Sequence, residues 1–540
     1  MSLNERFNKI KKTYEDYENW SGEVTGHHIL CCHPANEDQL LDIVNWAKEN
    51  NRKIRPVGMK HNWSPLTIAN GENNSSVILV DLKGTVTKVL IEKMGEHALV
   101  TAKAGITMQD FVTQLETQKL GFVGMPAPGD LTLGGVLAIG GHGTSIPAKN
   151  EKTPPGGSYG SMSNSIISLK AVVWNSETES YELKLFQRKD PEISAFMVHV
   201  GRALIFEVTL QVPRNQRLRC ISYVNITADE LFAKESSGDK TFSYFLDQYG
   251  RAEAIWFPFT EKPWLKIWTI APVYPSKSRP VHSPFNYGFS DNLPLKVSNL
   301  IKKINNGQPQ LTPSLGQLQA ELVNIGLGAT NAFDLWGWSK DLLMYVKPST
   351  LRVTANGYAI LTQRENIQSV IYDFVSHYRK MVTDYKGRHS WPMNGPIEIR
   401  VSGLDKPDET LVAGAVTPAL SAVKPDPAHP EWDVAVWLDI LSMPGTPDAC
   451  KFYNEMESWI YSHFSNKDCG VRVEWSKGWG YSDTAAWDNQ ERMQNTIPSS
   501  LSGGDNMSMD WNMAVSTLNE YDPYKLFSSP FVEKLFNMYA

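Results

Sequence analysis

The chain has no uninterrupted apolar run near the ~18 residues that a membrane-spanning helix requires. Its most apolar stretch, "LVAGAVTPALSAV" at residues 411–423, is short and broken by Pro418. A basic excess is also missing: 52 Lys and Arg stand against 58 Asp and Glu, a net charge of −6. That balance excludes the electrostatic footprint of a nucleic-acid binder or of a protein held on anionic membrane. Cysteine is scarce, with 5 in 540 residues. Cys31 and Cys32 are adjacent, Cys220, Cys450 and Cys469 are scattered, and no CxxC pair occurs. Spacing therefore supports neither a disulfide framework nor a structural zinc site, and no metal is expected. The N-terminus, "MSLNERFNKIKK", lacks the apolar core of a signal peptide, which fits a cytosolic chain or a mature form already trimmed.

Aromatic residues are what the sequence has in plenty: 17 Trp, 20 Tyr and 20 Phe. A chain of this length is expected to fold as more than one domain. The first third alternates helix and strand patterns. "EDQLLDIVNWAKEN" sets Leu40, Ile43, Val44 and Ala47 at helical spacing, with Asn36 or Asp38 as its cap. "KIRPV", "SSVILVDL" and "HALVTAKAG" read as strands, and "TMQDFVTQLETQ" as a helix opened by a capping box from Thr107 to Asp110. Near residue 213 the composition shifts to aromatic strands separated by proline-rich connectors such as "AVKPDPAHPEW". Such a segment is expected to form a sheet lining a large apolar cavity; an aromatic packed core is the plainer alternative.

Two loops carry the chemistry. In "KIRPVGMKHNWSPL" a turn built on Pro56 and Gly58 precedes His61. Such a histidine has four readings: solvated, packed, metal-ligating or covalently modified. "PAPGDLTLGGVLAIGGHGTS", residues 126–145, is the densest glycine stretch, and glycines let backbone N–H groups cradle an anion such as a pyrophosphate. It is not a GxxxxGK[ST] loop, because the lysine is missing, and not a Rossmann GxGxxG. "VLAI" between its glycine pairs reads as strand-like, and a glycine-rich structural turn remains the alternative on this stretch alone. Farther on, "IEIRV" alternates so that Glu398 and Arg400 share one face and Ile397, Ile399 and Val401 the other. A solvated surface is the ordinary reading of such a pair. For Asp439, in "VWLDI", the ordinary strand-charge reading is preferred.

Taken together, "RPVGMKHNW" and "GDLTLGGVLAIGGHGTS" resemble the vanillyl-alcohol-oxidase-type FAD flavoproteins. "HNWSPLT", "GPIEIRVSGLD" and "VEWSKGWGY" narrow the likeness to the bacterial cholesterol oxidases with covalently bound FAD. The resemblance implies an α+β, two-domain protein. Its FAD-binding domain of two α+β subdomains would span 1–213 and be completed by 494–540, and 214–493 would form a substrate domain with a large antiparallel sheet. It implies FAD attached through His61, with Arg55, Pro56, Val57, Gly58, Met59, Lys60 and Asn62 forming the first cofactor loop. Pro128, Gly129, Leu131, Thr132, Gly134 and Gly135 would begin the second loop, and Gly140, Gly141, His142, Gly143 and Thr144 would end it. "GRALIFEVTLQV", residues 201–212, looks like the closing strand of the FAD domain but departs from the commoner family form, so no site residue is taken from it.

The implied reaction is oxidation of a sterol 3β-hydroxyl by O2, giving H2O2, followed by a shift of the Δ5 double bond to Δ4. Glu398 would shuttle the proton and Arg400 steady the oxyanion. Glu253, paired with Arg400, would gate oxygen, and Glu474 and Lys477 would complete the polar group. The likeness further implies a secreted monomer that draws sterol from membrane surfaces by transient contact. Two rivals stand beside this reading: a covalent-flavin oxidase of another bulky alcohol or sugar, and a non-catalytic carrier of apolar ligands. A phosphate-transfer enzyme is disfavoured by the absent lysine.

Overall fold

The structure is a computed structural model that describes residues 1–235, 238–288, 295–347, 351–503 and 510–538. Three sheets organise it. The first contains β1 (Lys11–Glu18), β2 (Thr25–His33), β3 (Lys53–Pro56) and β4 (Val77–Val80) in the order β1-β2-β4-β3. The second contains β5 (Leu90–Met94), β6 (His97–Lys103), β7 (Ile166–Asn175), β8 (Ser180–Gln187) and β9 (Leu204–Pro213) in the order β5-β6-β9-β7-β8. β1 pairs antiparallel with β2, β4 runs parallel to both β2 and β3, and the second sheet is antiparallel throughout.

The third sheet has nine strands: β10 (Arg217–Tyr223), β11 (Arg251–Trp256), β12 (Trp264–Ile270), β13 (Arg279–Pro280), β14 (Asp334–Trp338), β15 (Thr354–Thr362), β16 (Ile397–Gly403), β17 (Val434–Ser442) and β18 (Cys469–Val473). Their order is β13-β14-β10-β12-β11-β16-β17-β15-β18, antiparallel except for β13 with β14. This is the large antiparallel sheet expected of an α+β protein.

Local signals explain the elements. The helix Glu37–Glu49 starts at Asn36, whose side chain accepts from the Gln39 N–H, and it buries Leu40, Ile43, Val44 and Ala47 completely. The helix Met108–Glu116 starts at Thr107, whose hydroxyl accepts from the Asp110 N–H and donates to the Asp110 carboxylate. "VLAI" is not strand: residues Leu133–Ala138 form a helix. A short apolar run carries no period long enough to separate the two.

Strand alternation divides the large sheet into two faces. Ile397, Ile399, Val401, Val436, Leu438 and Ile440 pack in the main core with Phe374, Tyr378, Phe452 and Met456 of the helices Ile367–Gly387 and Ala449–Phe464. Glu398, Arg400, Trp437 and Asp439 consequently point the other way. The C-terminal segment returns to the first sheet, where the Ile54 N–H donates to the Leu526 carbonyl and Phe527 joins the local core.

Candidate active site

Two adjoining cavities lie between the glycine loops and the opposite face of the nine-stranded sheet. The smaller, about 160 Å³, is lined by Arg55, Pro56, Val57, Gly58, Met59, Lys60, His61 and Asn62 of the first loop and by Thr132, Gly134 and Gly135 of the second. The larger, about 350 Å³, takes Pro128, Gly140, Gly141 and His142 from the second loop and Glu253, Glu398, Arg400, Glu474 and Lys477 from the far wall. His61 and Leu131 line both cavities, which puts His61 at their junction.

The first loop follows β3, whose exit is fixed by the Val57 N–H donating to the Val80 carbonyl. At Gly58 the two loops touch: a β-carbon there would lie 2.6 Å from Thr132 Oγ1, so only glycine fits. His61 stacks on Trp20 at 3.8 Å and meets Trp63 edge-on. Burial, with the positive charges of Lys477 and Arg352, lowers its pKa to about 4 and keeps the imidazole neutral. Its Nδ1 is buried with no hydrogen-bond partner. A neutral, unpartnered ring nitrogen beside a loop-lined cavity is a free nucleophile, and the loop residues around it fit a bound FAD. The loop is pinned to the far wall: Trp63 and Ser64 N–H groups donate to the Ser476 carbonyl, and the Ser64 hydroxyl donates to the Trp475 carbonyl.

In the second loop, His142 stacks on Trp437 at 3.6 Å, donates through Nδ1 to the Gly143 carbonyl, and turns Nε2 toward Glu474 Oε1 at 3.7 Å. Three expected cofactor residues are occupied by the protein itself. The Thr144 hydroxyl donates to the Ala252 and Val401 carbonyls, which ties the loop to β11 and β16. Gly143 packs against the Met125 backbone, and the Gly129 carbonyl accepts from the Gln109 N–H. Arg55 lines the small cavity, but its guanidinium is held by Glu72 at 2.8 Å.

Four carboxylates and three cations form the polar end of the large cavity. Asp439, wholly buried, accepts from Lys477 at 2.9 Å and from Arg400 through the same oxygen. Glu398 lies 3.8 Å from Arg400. Glu253 stands opposite Arg400 in the β11–β16 register, yet its direct partners are Lys266, at 2.5 Å, and the Tyr345 hydroxyl, at 2.8 Å. Lys266 is caged by aromatic rings, with Tyr345 nearest at 3.4 Å. Burial raises the Asp439 carboxyl to about 7, assisted by the charge of Glu474 and opposed by Lys477 and Arg400. For Glu474 burial acts in the same sense, but Lys477, His142 and Arg400 outweigh it and hold the group well below the usual carboxylate range. Three buried atoms here, Asp439 Oδ1, Glu474 Oε2 and Arg400 Nε, have no partner in the protein. Glu474 and Arg400 line the cavity, whereas Asp439 sits behind them, with its Oδ1 and Glu474 Oε2 against Gly357. Most of the remaining wall is apolar and includes Ile255, Phe257, Leu322, Val323 and Met443.

The sequence reading missed several members. Asp439 joins the polar cluster rather than serving as an ordinary strand charge; its spacing of two from Trp437 was the available signal. Lys266, set between Trp264 and Trp268 on β12, is a lysine on an aromatic strand and could have been singled out for that reason. His199, Gly201 and Ala203 line the small cavity, so the stretch near 201 that was given no site residue does reach it.

Known proteins agree with this arrangement. The profile described as "Cholesterol oxidase, substrate-binding" matches residues 217–537, and the "FAD binding domain" profile matches residues 30–180. Among solved structures, a solvent-stable cholesterol oxidase is 51% identical, with a TM-score of 0.97 over 99% of this chain and 100% of that one. The cholesterol oxidase from B. sterolicum is 41% identical, with a TM-score of 0.95 over 98% of each chain. The L-gulonolactone oxidase of Scyliorhinus torazame is 25% identical over 248 residues, 46% of this chain and 49% of that protein. The chain thus spans about half the length of the curated relatives it matches. A substrate-binding profile covering more than half of the sequence, with near-complete superposition at 51% identity, establishes that the chain belongs to the cholesterol oxidase family.

Proposed function

We propose that this protein oxidises the 3β-hydroxyl of cholesterol and related sterols with O2, forms H2O2, and moves the Δ5 double bond to Δ4 in the resulting ketone. The observation that carries the reading is the polar cluster closing one end of an apolar cavity beside His61. The aliphatic and aromatic walls suit the hydrocarbon body of a sterol, and the cations Arg400 and Lys477 suit its single oxygen.

Bound FAD supplies the hydride acceptor and the centre that returns two electrons to O2. The loop 55–62 and Gly134, Gly135, Gly140 and Gly141 would hold it, with His61 as covalent anchor. Everything else falls to the chain's own groups. Arg400 and Lys477, fixed by Asp439, present positive charge to the steroid oxygen and stabilise it as an oxyanion. Glu398 takes the proton from C4 and returns it at C6, which requires a carboxylate with some freedom; its side chain is 21% exposed and not tied to a second group. Glu253, fastened by Lys266 and Tyr345, sets the field at Arg400 and belongs, by family likeness, to the control of oxygen entry. Among the described residues no helix is long and apolar enough to cross a membrane. We take the enzyme to be a secreted monomer that meets its sterol by brief contact with membrane surfaces, a reading drawn from the family likeness.

The test is direct. After denaturation in acid, flavin fluorescence should travel with the polypeptide on a gel, and in His61→Ala it should be released. A wild-type band that stays dark rules out the covalent link. Glu398→Gln should retain bound flavin yet form the 4-en-3-one at least ~100-fold more slowly, the range for loss of one acid–base group. An unchanged rate would remove Glu398 from the mechanism.

A further inference from the structure

On the first sheet, away from both cavities, Glu15, Cys31 and His33 bring a carboxylate oxygen, a sulfur and an imidazole nitrogen within 4.8 Å of one another. The sheet explains the convergence. Cys31 and His33 are two apart on β2 and share a face, and the β1–β2 register sets Thr13 opposite Cys31 and Glu15 opposite Ile29 on that same face. Asp81, just beyond β4, is anchored where its N–H donates to the Cys32 carbonyl. The ligands sit on separate strands, so linear spacing gives no sign of them.

From this geometry we infer a binding site for one divalent transition-metal ion of the zinc class, ligated by Glu15, Cys31 and His33 with a water in the fourth position. A mixed N, S and O set is what such an ion accepts, with bonds of about 2.0–2.3 Å, so the present separations close by small side-chain rotations. The surroundings are those of a metal-binding histidine. Asp81 Oδ2 lies 3.5 Å from His33 Nδ1, beside the ring, and also pairs with Lys83 at 3.2 Å. Nε2 is left to face the other two ligands and the Thr13 hydroxyl at 2.8 Å. Cys31 is fully buried, while the side chains of His33 and Glu15 are 17% and 35% exposed, giving an ion a way in.

The charge balance favours a cation. The carboxylates of Glu15 and Asp81 stand on either side of His33, 3.6 and 3.5 Å from its two ring nitrogens. On binding, the S–H bond breaks, a sulfur–metal bond forms, and one proton leaves to solvent; no electron is transferred. The ion would clasp β1 to β2 at the edge of the sheet that carries the cofactor loop.

The probe is Co²⁺, added to holoenzyme dialysed free of metal and followed by difference absorption so that the flavin cancels. Wild type should take up one equivalent, with a thiolate-to-cobalt charge-transfer band and release of one proton, and Zn²⁺ should displace it. Cys31→Ser should lose the band, and Cys450→Ser should keep it. Affinity should fall at least tenfold in Glu15→Gln and His33→Gln, which carry the test should Cys31→Ser not fold. Absence of the band in wild type, its persistence in Cys31→Ser, or unchanged affinity in both other variants overturns the site.

Discussion

Replacing Lys477 by methionine removes one charge from the cluster while keeping the length of the side chain. Lys477 is buried, its ammonium donates to Asp439 at 2.9 Å, and it is the principal charge holding Glu474 ionised. At an effective dielectric constant of ~20, a pair at that distance attracts by about 6 kcal/mol, which is an upper bound. Measured losses on removing one partner of a buried pair run about 3–5 kcal/mol. The two carboxylates can escape the penalty by taking up protons, so the loss must depend on pH. In the variant both carboxyls have folded-state pKa values above those in wild type. An acid raised in the folded state costs stability as pH climbs from its unfolded value toward its folded one. The Glu474 part of the wild-type minus variant difference is therefore already present at pH 5, and the Asp439 part should add about 1–3 kcal/mol between pH 7 and pH 9, at 1.36 kcal/mol per unit. Guanidinium unfolding of holoenzyme, followed by tryptophan fluorescence across that range, measures it. Sterol oxidation should fall about 100-fold at pH 7, as for loss of an oxyanion donor. A difference independent of pH, or equal stability at pH 9, would refute the argument that Lys477 keeps these carboxylates charged.

Gly58→Ala should displace the first loop, because its new methyl would meet Thr132 Oγ1 at 2.6 Å. Cofactor content at purification should drop, and Thr132→Ala in the same chain should restore it. His199 is lowered to about 3 by burial, and its Nδ1 accepts from the Ala203 N–H. A base depressed in the folded state loses stability as pH falls below its unfolded value of 6.5. It should cost about 2 kcal/mol between pH 6.5 and 5, at 1.36 kcal/mol per unit. His199→Gln, which keeps an acceptor, should flatten that part of the unfolding-midpoint curve, and an unaltered slope would count against the account.

Much of the architecture is written in local pattern. The helix Glu37–Glu49 announces its cap and its buried stripe, and β16 announces by alternation that Glu398 and Arg400 share a face. Alternation alone does not say whether that face meets water or a cavity. The answer depends on which strands become its neighbours, a long-range choice that sets Glu253 opposite Arg400 and Asp439 opposite Glu398. The roles of Asp439 and Lys266 were hidden for the same reason, since a buried charge is recognised by partners brought from other strands. The short helix at Leu133–Ala138 was obscured by its length.

A single peptide oxygen, the Ser476 carbonyl, receives the N–H groups of both Trp63 and Ser64. Because Ser476 sits between Glu474 and Lys477, the loop of His61 and the polar cluster cannot drift apart independently. Substitutions at Leu322, Val323 or Met443 can therefore reshape the apolar wall while His61 and the polar cluster stay registered.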